Sequence, residues 1–170
     1  MRFVEIVQSV VVAVFRAALG ISFVILIVAV IWQVVGRFGG ASPVWTEELT
    51  RFALLYLAAI GAGLSMRTGE LVNVDIMVEA LPRRAGWMCR LISAALVAFL
   101  GLYLLPMAWQ FTSIGWFQSS PALGISMAYV HFSIFLLLAL LAFFALLRIA
   151  GMLAGTTDGR PVGLDDLEEN

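Results

Sequence analysis

The sequence contains no lysine, one cysteine and one histidine among its 170 residues. Cys89 alone cannot form an internal disulfide or a paired-thiol redox motif. His131 alone cannot supply the two axial ligands of a bis-histidine haem or a multi-histidine metal site. We therefore expect no cofactor, no metal and no enzyme activity in this chain.

Charge is scarce as well, and hydrophobic residues are abundant. Charged residues make up 12% of the chain and hydrophobic residues 62%, with a mean hydropathy of +1.03. Soluble domains have more charged residues, fewer hydrophobic residues and a lower mean hydropathy, so this composition indicates an integral membrane protein. Its expected surroundings are therefore the lipid bilayer, and no nucleic acid is expected as a partner.

Four apolar segments predict an all-α fold with four transmembrane helices, since each span needs roughly 20 apolar residues. The last two share one uncharged stretch, divided by the polar break Gln118-Ser119-Ser120-Pro121, and Pro106 predicts a kink in the third. The membrane domain is predicted at 1–150, and 151–170 is predicted to be a solvated acidic tail. The predicted spans are about 14–36, 43–66, 89–109 and 125–147.

Apolar residues at helical spacing before the first span predict an interfacial lead-in helix. A cleaved signal peptide is the alternative. It is disfavoured because Arg16 interrupts the early apolar stretch, and because the run that follows is long enough to span and has no small-residue cleavage site after it.

The arginines predict the orientation, because cytoplasmic loops are enriched in positive charge. Arg37 and Arg51 lie on one side of the predicted spans. The other eight share the side of both termini and the middle loop, which predicts a multi-pass protein with cytoplasmic N and C termini. These eight are Arg2, Arg16, Arg67, Arg83, Arg84, Arg90, Arg148 and Arg160.

Charged residues also lie at the start of the second span. Arg51 and Arg67 are 16 residues apart, or about 24 Å of helix, which is shorter than a hydrocarbon core of about 30 Å. The helix must therefore begin earlier, with Ser42-Pro43 as its start and Thr46 as the alternative cap. Either start places Glu47 and its neighbours near the positive end of the helix dipole.

Glu47 precedes Arg51 by four residues, the favourable order for an ion pair along a helix. Two hypotheses remain open for this segment: the charges cap and orient a helix, or they anchor an interface with another subunit. Small residues on the same stripe favour close helix contact. The candidate interface residues are Trp45, Glu47, Glu48, Arg51, Ala58, Ala62 and Ser65.

The middle loop predicts a short amphipathic cytoplasmic helix at 73–81, between the second and third spans. Asn73 can cap it, apolar residues recur at helical spacing, and Pro82 ends it. Its expected place is the cytoplasmic membrane surface, with Arg67 and Asp75 as candidate functional residues of this segment.

These motifs together resemble those of a known family, the small, DctQ-like membrane subunit of tripartite ATP-independent periplasmic (TRAP) transporters. The chain departs from many members at Leu71, where they have a histidine; this weakens any role for that histidine. The resemblance is strongest over residues 45–82. It rests on Trp45-Thr46-Glu47-Glu48 with Arg51, Gly61-Ala62-Gly63, Arg67 with Gly69, Val74-Asp75 and Leu81-Pro82.

The resemblance implies a sodium-coupled secondary transporter of three proteins for organic acids such as carboxylates, located at a bacterial inner membrane. Its large membrane subunit would hold the substrate and sodium sites and move in an elevator-like cycle. A soluble periplasmic protein would bind the substrate. The present chain would be the non-catalytic scaffold of the large subunit and would help to dock the binding protein.

The residues themselves favour a subunit over a protein that transports alone. No carboxylate lies inside the four apolar cores, where ion-coupled transporters usually need one. We interpret His131 as a hydrogen-bonded packing residue rather than a proton relay. The alternative function is a self-sufficient, homo-oligomeric small exporter or channel, which would need a buried acid or a polar pore.

Overall fold

The structure, a computed structural model, describes residues 2–38, 40, 43–68 and 81–155. Within these ranges, side chains are described from Val12 onward, except those of Thr68 and Arg83. The α-helices are α1 (Arg2–Phe38), α2 (Val44–Thr68), α3 (Arg83–Ile114) and α4 (Ala128–Leu153). A short 3₁₀ helix, Gly115–Phe117, follows α3.

Four helices are long and apolar enough to cross a membrane. The part of the chain that the structure describes contains no strand, and its one isolated β-bridge joins Ser119 to Ser126. The predicted all-α membrane fold is therefore confirmed. The four membrane-crossing segments are Val12–Phe38, Val44–Arg67, Arg84–Phe117 and Ala128–Leu153.

The helices differ from the predicted spans mainly at their ends. The predicted lead-in segment is continuous with the first span in α1, and α3 continues past Pro106 to Ile114. The amphipathic helix predicted at 73–81 falls almost entirely outside the described residues, as does the acidic tail beyond residue 155. Both of those stay predictions.

The chain divides into two compact units, and several helices contribute residues to both. Unit 1 consists of Met1–Gly61 and Pro106–Leu137. Its buried residues are mostly small, which lets membrane helices approach closely. Tyr56 of α2 also donates a hydrogen bond of 2.5 Å to the Tyr129 carbonyl oxygen in the first turn of α4. The buried apolar residues of unit 1 include Ala29, Ala53, Ala59, Ile60, Ala108, Ala128 and Val130.

Unit 2 consists of Ala62–Leu105 and Leu138–Asn170. Here two glycines lie directly against α4. A Cβ atom added to Gly63 would lie 2.7 Å from the Leu140 Cβ, and one added to Gly101 would lie 3.0 Å from the Ala142 Cβ. Both distances are shorter than an ordinary carbon–carbon contact of about 3.5–4.0 Å. The close packing of α2 and α3 against α4 therefore requires glycine, which has no side chain, at positions 63 and 101.

Candidate functional site

The start of α2 is fixed by a buried threonine. Thr46 is fully buried, and its Oγ1 donates a hydrogen bond of 2.7 Å to the Pro43 carbonyl oxygen. The Thr46 backbone N–H donates to the same oxygen over 3.2 Å. The helix begins at Val44, one residue after the proline that was predicted to open it, and Ser42 lies outside the described residues.

Glu48 contacts a distant segment of the chain, the α3–α4 loop (residues 118–127). Its carboxylate accepts a hydrogen bond from the Ser120 hydroxyl. It also accepts hydrogen bonds from the backbone N–H groups of Leu123, at 3.1 Å, and Ala122, at 3.3 Å. One carboxylate thus satisfies three donors at the tip of the loop, which fastens the loop to the first turns of α2.

The α3–α4 loop has a defined fold of its own. The Ser120 N–H donates a hydrogen bond of 2.8 Å to the Ile125 carbonyl oxygen. The Met127 N–H donates one of 2.9 Å to the Gln118 carbonyl oxygen. Gly124 closes the turn with φ +67°, a conformation that favours glycine. The loop therefore presents an ordered surface next to Glu48.

Glu47 pairs with α1. Its Oε1 accepts a hydrogen bond of 3.2 Å from Gln33 Nε2 and lies 3.8 Å from Arg37 Nη2. The predicted ion pair of Glu47 with Arg51 is wrong: among the described residues, the ion pair of Glu47 is the one with Arg37. The last turns of α1 bring the Arg37 guanidinium and the Gln33 amide to Glu47. Helical spacing within α2 had predicted Arg51 as the partner of this carboxylate.

One face of α2 is exposed and contains two of the candidate interface residues. Arg51 and Ala58 are exposed, whereas Ala53, Ala59 and Ile60 on other sides of the helix are buried. The exposed guanidinium of Arg51 has no ion-pair partner among the described residues.

The remaining candidate residues are distributed along α2 and beyond it. Ala62 and Ser65 are half-buried, and Arg67 is exposed near the end of the helix. Trp45 is partly exposed and lines, with Trp32 of α1, an entirely apolar groove of about 390 Å³. Asp75 lies outside the described residues.

His131 lies in a packed setting at the other end of the α3–α4 loop. Its Nδ1 donates a hydrogen bond of 3.1 Å to the carbonyl oxygen of Phe111, whose ring stacks on the imidazole at 3.9 Å between centroids. Phe111 lies in the last turn of α3, where carbonyl groups lack helical partners. This contact agrees with the interpretation of His131 as a packing residue.

Three partners in this region were not assigned from the sequence. The polar break at residues 118–121 indicated a loop, but no local pattern connected Ser120 with Glu48, 72 residues away. Gln33 and Arg37 likewise meet Glu47 only because α1 and α2 pack together. In the described residues, no three histidine, cysteine, aspartate or glutamate side chains gather as a metal site would require.

Comparison with known proteins adds an independent observation. Residues 26–155 match the family described as tripartite ATP-independent periplasmic transporters, DctQ component. The isethionate TRAP transporter permease protein DctMQ of Oleidesulfovibrio alaskensis is 32% identical over 92 residues, which cover 50% of this chain and 14% of that protein. The sialic acid TRAP transporter small permease protein SiaQ of Vibrio cholerae is 24% identical over 111 residues, which cover 64% of each chain.

This chain spans less than two thirds of the length of either relative. The family match, in contrast, covers most of the chain, including all of α2, the charged residues at its start and the α3–α4 loop. The residues on which the resemblance was noted lie within that match. The chain belongs to the DctQ component family of tripartite ATP-independent periplasmic transporters.

Proposed function

We propose that this chain is the scaffold subunit of a sodium-coupled TRAP transporter in a bacterial inner membrane. In this role it holds the static part of a large, elevator-type membrane subunit, which contains the substrate and sodium sites. It also helps to dock the periplasmic binding protein. The chain itself performs no catalysis and transports nothing alone.

The observation that best supports the scaffold role is the exposed charged face of α2. Arg51 lies seven residues after the helix start at Val44, about 10 Å along the axis. A guanidinium at that depth is costly next to lipid and favours a protein surface that offers acceptors. Ala58, two turns further along the same face, leaves room for a second helix to approach.

The docking role is assigned to the α3–α4 loop and the 3₁₀ helix before it. The positive-inside rule favours a periplasmic position for this loop, since eight of the ten arginines are on the opposite side of the predicted spans. Glu48 holds the loop in one arrangement, and the side chain of Phe117 beside it is 92% exposed. A fixed loop with an exposed aromatic side chain costs little conformational entropy when a partner binds.

The substrate class is assigned at the level of organic acids. The two relatives are named for transport of isethionate and sialic acid, both of which are organic anions. The present chain contains no carboxylate or other obvious coupling residue within its apolar cores. The choice among organic acids therefore belongs to the partner proteins.

Assembly with the large subunit tests the scaffold role directly. We expect Ala58→Leu to lower the yield of complex recovered with a tagged large subunit, because a larger side chain separates the two helices. Ala95→Leu, at an exposed position of α3, is the matched control and should assemble normally. Equal recovery of the two variants would show that this face of α2 does not contact the large subunit.

Reconstitution tests the transport role. Liposomes that contain this chain alone should take up no organic acid under a sodium gradient. Addition of the large subunit and the loaded binding protein should produce uptake. Sodium-driven or proton-driven uptake by the chain alone would contradict the scaffold assignment and favour the homo-oligomeric exporter.

A further inference from the structure

A second polar feature lies in unit 2, away from the charged start of α2. Arg90 of α3 is only 7% exposed, and its Nε is buried without a hydrogen-bond partner. Arginine near a membrane surface usually extends its charged end into water. Arg90 differs in that its side chain is almost completely covered and its Nε has no access to water.

Among the described residues of unit 2, every charged side chain is positive. The described residues of unit 2 contain no aspartate or glutamate at all. An unpaired buried cation is unfavourable, so this end of unit 2 is suited to an anion. The arginines among the described residues of this unit are Arg67, Arg83, Arg84, Arg90 and Arg148.

An apolar cavity of about 240 Å³ begins one helical turn from Arg90. Ser93 and Val97 line it and follow Arg90 by three and seven residues, so they share its face of α3. Met66 of α2 and Leu138 of α4 form other walls of the cavity. Apart from Ser93, the named walls are apolar side chains.

The cavity is accessible from the side of the protein that faces the bilayer. Leu100, which also lines it, is 55% exposed, and Leu96 and Phe99 beside it are exposed as well. At Gly101 the backbone of α3 lies against Ala142 of α4, which limits the depth of the cavity. An apolar space of this kind accommodates an acyl chain.

The packing of α3 against α4 also brings a second arginine near this end. The two helices run antiparallel and touch at Gly101 and Ala142. Arg148, six residues beyond that contact on α4, therefore comes level with about residue 95 of α3, within roughly 8 Å of Arg90 along the axis. Arg90 and Arg148 thus lie at similar levels along two neighbouring helices.

We propose that this end of unit 2 binds one anionic phospholipid, with its phosphate on the Arg90 guanidinium and one acyl chain in the cavity lined by Ser93, Val97 and Leu100. Guanidinium groups bind phosphate through charge-assisted hydrogen bonds, often two at once. The apolar cavity explains why the anion is a lipid rather than a soluble phosphate. This proposal does not depend on the transport role of the protein.

The test measures lipid bound to the purified full-length chain by native mass spectrometry, with dioleoyl phosphatidylglycerol and dioleoyl phosphatidylcholine offered in equal amounts. The wild-type chain should retain one phosphatidylglycerol in preference to phosphatidylcholine. Arg90→Gln should lower the phosphatidylglycerol affinity by about ten- to a hundredfold, the range for losing hydrogen bonds to a charged group. Arg84→Gln, at an exposed arginine of the same helix, is the matched control and should retain the preference.

A second variant and a soluble probe complete the experiment. Val97→Phe fills part of the cavity and should weaken the binding of both lipids while Arg90 stays in place. Glycerol 3-phosphate, which has no acyl chain, should not compete at concentrations at which phosphatidylglycerol saturates the site. Effective competition would assign the site to a soluble phosphate and overturn the proposal.

Two further outcomes would also overturn it. One is an Arg90→Gln variant that keeps the phosphatidylglycerol preference, which would assign the guanidinium to a carboxylate of this chain, such as those in residues 69–80. The other is an Arg90→Gln variant with unchanged lipid binding but reduced recovery of the large subunit. That result would make Arg90 part of a protein interface.

Discussion

Substitution by alanine, which adds one methyl group, should affect the stability of the protein differently at two glycines that lie two residues apart in α2. A Cβ atom on Gly63 would lie 2.7 Å from Leu140 Cβ and 3.0 Å from Leu140 Cδ1. A Cβ atom on Gly61 would have one neighbour, Leu19 Cδ1, at an ordinary 3.7 Å. We therefore expect Gly63→Ala to destabilise the protein and Gly61→Ala to be tolerated.

The size of the difference follows from the two geometries. Relief of the Gly63 contact requires atoms to move by about 1 Å to reach normal carbon–carbon separation. Overpacking of this kind costs about 1–3 kcal/mol in folded cores. Both substitutions also replace a helix-interior glycine with alanine, which favours the helix by up to about 1 kcal/mol and cancels when the variants are compared. Gly63→Ala should thus be less stable than Gly61→Ala by about 1–3 kcal/mol.

The free energy of unfolding can be measured by titrating the purified protein with sodium dodecyl sulfate in nonionic micelles, with tryptophan fluorescence as the signal. The two variants are compared with each other and with the wild-type chain. Gly61→Ala should match or exceed the wild-type stability. Equal stability of the two alanine variants would show that α2 and α4 are not in close contact at Gly63.

Three other predictions concern the polar residues and the orientation. Glu48→Ala should accelerate amide hydrogen exchange in the α3–α4 loop, because three donors lose their acceptor, whereas Glu47→Ala should leave that loop protected; equal exchange in both would refute the anchoring role. A cysteine at Gly40, in a Cys89→Ala background because Cys89 is exposed, should react with a membrane-impermeant maleimide added to intact spheroplasts, and protection from the reagent would reverse the topology. His131→Ala should retain sodium-driven uptake in the reconstituted complex, since the imidazole makes a packing hydrogen bond to a backbone carbonyl; loss of uptake with normal assembly would indicate a proton relay instead.

Membrane class and helix number could be predicted because both depend on local composition. A run of apolar residues of sufficient length forms a transmembrane helix whatever the rest of the chain does, since its backbone groups must bond within the segment. The four predicted segments all correspond to helices in the structure. Their ends were less well predicted, as for α3, which begins at Arg83 and continues beyond Pro106.

The partners of the charged residues could not be predicted in the same way. Helical spacing correctly placed Glu47 and Arg51 on neighbouring turns, but it gives no information about Arg37, the competing cation on α1. Arg37 approaches Glu47 only once α1 and α2 pack against each other. The local rule therefore named the wrong partner for a carboxylate at a contact between helices.

The sequence by itself determined that this protein is a four-span membrane protein of the DctQ component type, because apolar runs and motif spacing are properties of neighbouring residues. Only the tertiary structure decided that Glu48 holds a loop 72 residues away and that Gly63 lies against Leu140. It likewise decided that Arg90 is buried beside an apolar cavity. Each of these contacts joins distant segments, and their geometry depends on how the helices pack.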